Sequence, residues 1–481
     1  MVRLCIPSLA QSASHVQVRR FPFWVEPADV FSRLAHTPGS VLLESQPSPG
    51  NSGARYSVIC AKPLGILTTI GDRTVVELFS TTRVYDSPFT ALRDVLGAFT
   101  VPSSSEVTFP GGLVGYLGYE LLRFVESVRI SKDDDVCMPD CWLGIYGQAV
   151  VFDHLERTVV LANCSLAGID NSTGDWAYLE ELCWSAKSEQ SRDTRQPIPI
   201  RAGALTSSFS QAEYSEAVRK VKSYIAAGDV YQVNLSQRFV GSFDADAWEV
   251  YLALRATNPA PYAAYLNTGL STILSSSPES FLLYHPRERL VVTRPIKGTR
   301  PRGIDDVEDG RLAFELQASD KDRAENLMIV DLERNDLGRV CRFGSVEVPK
   351  LMAVESYPNV HHLVSTVTGV LRDDCDAADL LLACFPGGSI TGAPKIRAIQ
   401  IIDEMEPVRR GVYTGSIGWV GFDQSVNLNI AIRTAVVKDR ACYFSVGGGI
   451  VAGSEPEVEY QETLDKGRAF FEVLGCGQDS G

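Results

Sequence analysis

Val230-Tyr231-Gln232-Val233-Asn234-Leu235-Ser236-Gln237-Arg238-Phe239 alternates apolar and polar side chains, and this alternation predicts a β-strand. One row of the strand is polar and faces a cavity or water: Gln232, Asn234, Ser236 and Arg238. A capping box at Ser210 and Glu213 precedes apolar residues at helical spacing, so a helix is predicted over 211–227. Gly228 then ends that helix.

Helical and strand patterns continue to alternate toward the C-terminus. Segments 427–433 and 442–446 have strand patterns, and segment 396–405 has a helical pattern. This order favours a mixed α/β layered domain over an all-α or all-β domain. The polar, proline-bearing segment 186–208 predicts a linker or long surface loop. It divides the chain into an N-terminal part, 1–190, and a C-terminal part, 208–475.

Composition narrows the class of protein. The chain has 481 residues and a formal net charge of −14, so nucleic acid and anionic membranes are poor candidate partners, and local cations must hold any anionic substrate. Its 11 cysteines include no Cys-x-x-Cys pair, and no run of about 18 apolar residues occurs. We therefore expect reduced thiols, a cytoplasmic location and no membrane span. The first acidic residue is Glu26, which leaves a start compatible with a transit peptide.

Lys297 lies in a basic loop with little side-chain bulk, residues 295–303. Cations at Arg294, Arg300 and Arg302 are expected to reduce its preference for the charged form, and a deprotonated lysine is a nucleophile. The alternative interpretation of this segment is a solvated basic turn or an anion-holding loop.

Two pairs of carboxylates occur at helical spacing: Asp322 with Glu325, and Glu459 with Glu462. Each pair lies on one helical face, and two such helices facing each other can supply the oxygen ligands that Mg²⁺ prefers. The alternative is a solvated acidic surface, with Lys466 forming an ordinary helix salt bridge to Glu462. The apolar run after Glu325 favours a partnered site, because burying an unpaired carboxylate is costly.

Glycines in segments 385–395 and 447–449 allow backbone N–H groups to approach a ligand. The first segment has the glycine spacing of a nucleotide loop, but Ala393 stands where that motif needs lysine. A Mg-nucleotide protein is therefore disfavoured. Segment 447–449 is equally compatible with a bulge or a tight turn.

Three further residues are candidates for ligand contact or catalysis. Arg433, on an apolar strand, needs an anion, which is either a structural carboxylate or a ligand carboxylate. Glu279 follows a strand-like run and can be a general acid if burial raises its pKa. For His362 the simplest interpretation is a structural histidine.

Taken in order, five segments resemble the chorismate-utilising enzymes: 295–303, 324–332, 388–395, 430–435 and 459–462. Segments 42–45, 55–58 and 111–120 resemble the family's N-terminal region at lower specificity. The resemblance implies an α/β (α+β layered) fold like that of anthranilate synthase component I. In that fold, two β-sheets packed together and surrounding helices enclose Mg²⁺-bound chorismate, and the two parts of the chain are subdomains.

The resemblance also implies the ligand contacts. The four paired carboxylates would hold Mg²⁺, which would bind the ring carboxylate of chorismate. Arg433, Tyr413 and the amides near Gly447 would meet the enolpyruvyl carboxylate. The remaining implied contacts are Lys466 and Ser389 at the ring and His362 at the reacting face.

Two positions indicate the branch of the family. Members that add water to chorismate resemble one another in a lysine at the position of Gln232, whose amide cannot act as a base at neutral pH. Anthranilate synthases usually have alanine at the position of Lys297. The chain therefore most resembles aminodeoxychorismate synthase component I, which makes 4-amino-4-deoxychorismate for p-aminobenzoate and folate. In that branch a lysine adds to the ring, and Glu279 resembles the residue that assists the leaving group.

No glutaminase segment is recognisable, so the resemblance implies a separate glutamine amidotransferase subunit that supplies ammonia. Segment 42–45 lies where relatives bind tryptophan, which makes Ser45 a candidate contact and leaves tryptophan binding open. One alternative function is anthranilate synthase component I, because one loop residue carries most of the distinction. The other is a non-catalytic tryptophan- or anion-binding regulator that has kept the fold.

Overall fold

The computed structural model describes residues 15–46, 55–103, 107–165, 175–189, 204–357 and 360–475. The strands are β1 His15–Arg20, β2 Ser40–Glu44, β3 Tyr56–Cys60, β4 Gly65–Ile70, β5 Arg73–Leu78, β6 Thr81–Tyr85, β7 Gly112–Leu117, β8 Cys141–Tyr146, β9 Gln148–Asp153, β10 Thr158–Ser165, β11 Thr206–Ser207, β12 Gln232–Ser242, β13 Tyr262–Asn267, β14 Thr272–Ser277, β15 Ser280–His285, β16 Leu290–Arg294, β17 Ile296–Pro301, β18 Glu347–Ser356, β19 Val360–Val370, β20 Gly392–Ala393, β21 Ser416–Gly421, β22 Val426–Asn429, β23 Thr434–Lys438 and β24 Ala441–Ile450. The α-helices are α1 Pro27–Phe31, α2 Pro88–Ala98, α3 Asp175–Glu189, α4 Gln211–Ala226, α5 Ala247–Thr257, α6 Asp306–Ala318, α7 Asp320–Gly338, α8 Ala377–Cys384, α9 Lys395–Met405 and α10 Pro456–Val473, with 3₁₀ helices at Tyr119–Phe124 and Gly388–Ile390.

Two antiparallel sheets form the body of the fold. The first sheet has the order β1-β10-β9-β3-β2-β13-β14-β23-β24-β12-β11, with β20 pairing β12. The second sheet has the order β17-β19-β16-β15-β22-β21-β7-β8-β4-β5-β6, with β18 pairing β19. Val41 and Leu266 of the first sheet share a core with Val114 and Trp142 of the second. Two sheets packed together with surrounding helices are therefore confirmed.

The two predicted parts, 1–190 and 208–475, share both sheets. In the first sheet, β2 of the N-terminal part pairs with β13 of the C-terminal part, and in the second, β7 pairs with β21. The predicted linker, 186–208, was wrong at its start, because Ala186 is buried against a core cluster and α3 continues to Glu189. Residues 190–203 of that segment, and the proposed transit segment at 1–14, lie outside the described ranges.

The segment that predicted the fold class forms the expected helix and strand. α4 has both hydrogen bonds of the capping box between Ser210 and Glu213. The polar row of β12 faces the protein interior, since Gln232, Asn234 and Ser236 are all buried. Glycines 447–449 do not form the turn considered above. They lie inside β24 and pair with residues 234–236 of β12.

The predicted strand over 427–433 was wrong in its second half. β22 ends at Asn429 in the second sheet, and β23 begins at Thr434 in the first. The chain crosses from one sheet to the other in between, and Arg433 has a φ of +49° at the end of the crossing. A continuous strand cannot belong to both sheets here, so Arg433 lies between them rather than on a strand.

Two expectations about the whole chain concern the membrane and the cysteines. None of the helices in the described ranges has the length and apolar character needed to cross a membrane. Within the same ranges the cysteines are free thiols, and most of them are buried.

Candidate active site

The predicted site residues lie where elements of both sheets meet. β17 pairs with β19 at one edge of the second sheet, and α7 packs across both strands. α10 packs on β24 of the first sheet. Lys297 of β17 is electrostatically coupled to Glu325 of α7 and to Lys466 of α10. The site therefore combines one helix from each side with strands of both sheets.

A glycine shapes the strand that carries Lys297. The pairing of β17 with β19 shifts register between Lys297 and Thr299, which marks a β-bulge at Gly298. Gly298 has a φ of +79°, and a Cβ atom there would stand 2.8 Å from Leu316 Cδ1 and 2.9 Å from Asp322 Cβ. Bulges redirect neighbouring side chains, so this glycine determines where Lys297 points and lets α7 approach the strand.

The amine of Lys297 donates to the backbone carbonyl of Ser389 at 3.0 Å. Desolvation lowers the pKa of Lys297, the carboxylates of Glu325 and Glu279 oppose that shift, and the ammonium of Lys466 adds to it. A lowered pKa increases the fraction of neutral amine, which is the nucleophilic form.

The predicted cause of that shift was wrong. Each nearby arginine is bound to a carboxylate, so its charge is largely compensated: Arg294 to Glu355, Arg300 to Asp322 and Arg302 to Asp309. Burial of the amine is the first cause of the lowered pKa, and the cation that contributes lies on α10.

Glu279 follows β14 and is 5% exposed. Burial raises the pKa of Glu279, and the nearby ammonium of Lys297 opposes the shift. The backbone N–H of Ile296 donates to its Oε1 at 3.4 Å. A buried carboxyl group with a raised pKa can stay protonated near neutral pH and donate a proton to a departing group.

His362 is buried on β19, the strand that pairs with β17. Its Nδ1 lies 2.9 Å from Thr299 Oγ1, and its ring packs edge-on against Tyr357 at 5.2 Å between centroids. Burial, together with the charge of Arg433, lowers the pKa of His362 to about 3. The imidazole is therefore neutral at physiological pH and is both structurally held and close to Arg433.

The four acidic residues lie on α7 and α10, as the helical spacing predicts, and cations accompany them. Glu459 is 2% exposed, accepts from Ser454 Oγ at 2.6 Å and lies 3.6 Å from Lys321 Nζ. Arg300 pairs with Asp322 at 3.1 Å, and Lys466 pairs with Glu462 at 2.7 Å. Burial raises the pKa of the fourth residue, Glu325, while Lys297 and Lys321 lower it.

The chemistry of this donor set fits Mg²⁺, a hard cation that prefers carboxylate oxygens. Gly448 faces this pair of carboxylates on α10: a Cβ atom there would lie at ordinary contact distance, 3.4 Å from Glu459 Oε2 and 3.5 Å from Glu462 Oε1. No three Asp, Glu, His or Cys side chains in the described part of the chain form a ready metal-binding group. The carboxylates are charge-compensated by lysine and arginine in this conformation.

Arg433 is one of the residues assigned to the substrate carboxylate. Its guanidinium donates to Asn258 Oδ1 at 3.2 Å and forms no ion pair with any described residue. Within the described part of the chain, Arg433 therefore does not form the structural salt bridge considered above. Tyr413 is buried near the Arg410–Glu406 pair, and Lys466 donates to the carbonyl of Gly447 at 2.9 Å.

Two polar side chains at the site have unused hydrogen-bonding capacity. Neither amide atom of Gln232 has a partner among the described residues, although the residue is fully buried. Its Nε2 would lie 2.6 Å from a Cβ atom at Gly449. The hydroxyl of Ser389 is likewise buried and forms no short hydrogen bond in that part of the chain, although it lies close enough to Glu279 to lower the pKa of that carboxyl. Buried polar groups normally have partners, so such groups are candidates for ligand contact.

Ser45 has its contacts away from Lys297. Its hydroxyl donates to the carbonyl of Pro261 at 2.9 Å, and it lines a small cavity between the sheets with Tyr262 and Trp419. The charged site residues around Lys297 are Glu279, Glu325, Glu462 and Lys466. Sequence reasoning missed Lys321, which lies among the carboxylates, and the role of Asn258 beside Arg433. The Asn-Pro pair at 258–259 was the only available signal for the latter.

Comparisons with known proteins identify the family. A family model described as chorismate binding enzyme matches residues 41–472. Aminodeoxychorismate synthase component 1 of Escherichia coli (strain K12) is 44% identical over 91% of this chain and 93% of the relative. Anthranilate synthase component 1 of Pseudomonas aeruginosa is 39% identical over 94% of both chains.

Solved structures give the same result for the fold. The crystal structure of anthranilate synthase component I from Streptococcus pneumoniae TIGR4 has a TM-score of 0.74 and 31% identity, covering 86% of this chain and 91% of that chain. Both comparisons extend over nearly the whole described chain and include the site. The protein therefore belongs to the chorismate-binding enzyme family.

Proposed function

We propose that this chain is the synthase component that converts chorismate and ammonia into 4-amino-4-deoxychorismate. The observation that carries the proposal is the position of Lys297, whose desolvated amine lies beside Glu279 and bonds to the carbonyl of Ser389. Its closeness to Glu279 provides a nucleophile and a proton donor in one pocket.

The proposed reaction consists of two displacements. The neutral amine of Lys297 forms a bond to ring position 2, the ring double bonds shift, and the C–O bond at position 4 breaks. Glu279 gives its proton to the departing hydroxyl, which leaves as water. Ammonia then bonds to position 4, the double bonds shift back, and the bond to Lys297 breaks, so that the amine is released and Glu279 is reprotonated. Splitting one substitution into two easier ones is the usual advantage of a covalent nucleophile.

The substrate carboxylates would be held at opposite ends of the site. Arg433, which forms no ion pair with a described residue, would offer its guanidinium to the enolpyruvyl carboxylate, with Tyr413 and the backbone near Gly447 as further contacts. At the other end, Asp322, Glu325, Glu459 and Glu462 would hold Mg²⁺. When bound, the metal ion would stabilise charge on the ring carboxylate.

One residue supports amination over hydration, and three others complete the ring site. Gln232 is buried where family members that add water have lysine, and its amide cannot deprotonate water at neutral pH. The buried Ser389 hydroxyl and the ammonium of Lys466 are available to the ring or its substituents. Neutral His362 would support the reacting face without adding charge.

The proposal includes a partner. Relatives are named as component 1 of synthases, so a second component, a glutamine amidotransferase, would supply the ammonia. The product would serve p-aminobenzoate and folate synthesis, which we expect in the cytoplasm. Tryptophan is a candidate ligand at Ser45, where a cavity lies between the sheets.

Anthranilate synthase component I is the second candidate, because relatives with that name are nearly as similar as those named aminodeoxychorismate synthase. In that reaction ammonia attacks ring position 2 directly, so no lysine nucleophile is required. The deciding experiment is chromatography of products from the purified chain with chorismate, Mg²⁺ and an ammonium salt. The proposal predicts a product that an added lyase converts to p-aminobenzoate; anthranilate as the sole product would reject it.

A further inference from the structure

Arg433 is held at both ends by two residues that are hydrogen-bonded to each other. Its carbonyl accepts from the backbone N–H of Ser276 at 2.9 Å, and its guanidinium donates to Asn258 Oδ1 at 3.2 Å. Ser276, at the end of β14, is itself bonded to Asn258, at the end of α5. Asn258, Ser276 and Arg433 thus form a closed hydrogen-bonded frame at the point where the chain crosses between the sheets.

The hydrogen bonds fix the orientation of the Asn258 amide. The Ser276 hydroxyl donates its only proton to the backbone carbonyl of Asn258. It can therefore only accept from the Asn258 side chain, whose Nδ2 lies 2.7 Å away. With Nδ2 assigned to Ser276, Oδ1 must face Arg433.

Asn258, the hydrogen-bond partner of the Arg433 guanidinium, is neutral and therefore does not compensate the charge of Arg433. Burial lowers the pKa of Arg433, which shows that its charged form is costly in this position. An aspartate with the same shape would neutralise the charge, whereas asparagine orients the guanidinium and leaves the charge available. The field of that charge already reaches His362 and contributes to its lowered pKa.

We infer that Asn258 is a positioning residue that aims Arg433 at a substrate carboxylate while leaving its charge uncompensated. This inference rests on the proposed chorismate site and concerns binding of the substrate, so it holds for amination at either ring position. It predicts that shape and charge at position 258 have separate effects. Asparagine accepts the hydrogen bond from Arg433 and carries no charge. Aspartate keeps that hydrogen bond but adds a negative charge, and alanine stays uncharged but loses the hydrogen bond.

The test compares Asn258→Asp and Asn258→Ala with Asn267→Ala as matched control. Asn267 is a part-buried asparagine on β13 whose Nδ2 donates to the carbonyl of Ala35 at 3.0 Å, away from the site. Initial rates of chorismate consumption are followed whatever the product, and melting temperatures are measured on the same preparations. Consumption without 4-amino-4-deoxychorismate would reject the proposed function but still test Asn258.

The two substitutions should rank in opposite order in the two measurements. We expect Asn258→Asp to raise KM for chorismate by roughly tenfold or more, with kcat changed by less than about threefold. Asn258→Ala should raise KM less yet lower the melting temperature more: both variants lose the donor to Ser276, but only alanine also loses the bond to the guanidinium of Arg433. The control should keep the wild-type KM. A KM for Asn258→Asp within about twofold of wild type, or KM values that follow the melting temperatures, would overturn the inference.

Discussion

The amine of Lys297 and the backbone carbonyl of Ser389 are joined by a hydrogen bond of 3.0 Å. This bond connects β17 of the second sheet to the 3₁₀ helix Gly388–Ile390, which α7 also contacts. It keeps the amine inside the site before any substrate arrives. The lowered pKa of Lys297 and the raised pKa of Glu279 shift each group toward the protonation state that the proposed displacement needs.

The first prediction concerns the nucleophile. Lys297→Ala should reduce 4-amination by roughly 10³-fold or more, because the remaining groups can bind and orient chorismate but cannot form the covalent bond. Lys350→Ala, which removes an exposed lysine of β18, is the control and should leave the rate unchanged. Quantifying the product by chromatography distinguishes the two; wild-type rates in Lys297→Ala would mean that the amine acts only through its charge.

The second prediction concerns Glu279→Gln, which keeps the shape and removes the acid. The rate should fall by roughly 10²–10⁴-fold. Because the pKa of Glu279 is raised in the folded protein, the folded state retains the proton longer than the unfolded state, and stability is lost as pH rises through the folded pKa. The variant lacks that loss, so its melting temperature relative to wild type should increase from pH 4 toward neutral. A constant difference across this range would contradict the assignment.

The third prediction concerns His362 and acid stability. Its folded pKa of about 3 lies below the ordinary value of 6.5, so the unfolded chain takes up the proton first as the pH falls. The free energy of unfolding should therefore decrease as the pH falls from about 6.5 to about 3. The decrease should be several kcal/mol at most, since each unit of pKa shift corresponds to roughly 1.4 kcal/mol. His362→Asn should show a flatter profile in urea unfolding. If both proteins have the same pH dependence, the buried neutral imidazole is not responsible.

The fourth prediction concerns the buried pair Arg410–Glu406. The side chain of Arg410 is 3% exposed. Its guanidinium donates to both carboxylate oxygens of Glu406 and to the carbonyls of Ile390 and Asn234. Arg410→Met should cost about 3–5 kcal/mol, because it leaves a buried carboxylate without its cation. Arg440→Met removes an exposed pair with Asp244 and should cost at most about 1 kcal/mol. Equal unfolding free energies for the two variants would refute the assigned role.

The fifth prediction concerns Mg²⁺. Removing the metal with a chelator should abolish amination, and adding Mg²⁺ should raise the melting temperature, since a ligand that binds only the folded state stabilises it. Glu459→Gln should weaken that thermal shift. The exposed acid Glu216 of α4 offers the control substitution Glu216→Gln, which should retain the full shift. A full shift in Glu459→Gln as well would place the metal elsewhere.

Sequence patterns were sufficient where a local rule decides the structure. The capping box predicted α4, and the alternation of apolar and polar residues predicted β12. Helical spacing predicted that each acidic pair lies on one face of its helix. Local sequence patterns did not predict contacts between residues that are distant in the sequence. The crossing before Arg433 depends on which sheet each strand joins, and apolar periodicity is the same in both sheets.

The electrostatic environment of Lys297 was also beyond local reasoning. Proximity along the chain suggested Arg294, Arg300 and Arg302, but each of these is bound to an acid brought in from another element. The cation that does contribute, Lys466, is distant in sequence and adjacent in the fold. Likewise Asn258 became a site residue only when the crossing placed Arg433 beside it.

The most direct test of the covalent role of Lys297 is intact-mass spectrometry of the protein quenched after mixing with chorismate and Mg²⁺ in the absence of ammonia. The account predicts a new species heavier by one chorismate less one water, absent in Lys297→Ala and lost when an ammonium salt is added. A wild-type protein that consumes chorismate and releases product without ever showing this species, at the same rate as Lys297→Ala, would contradict it.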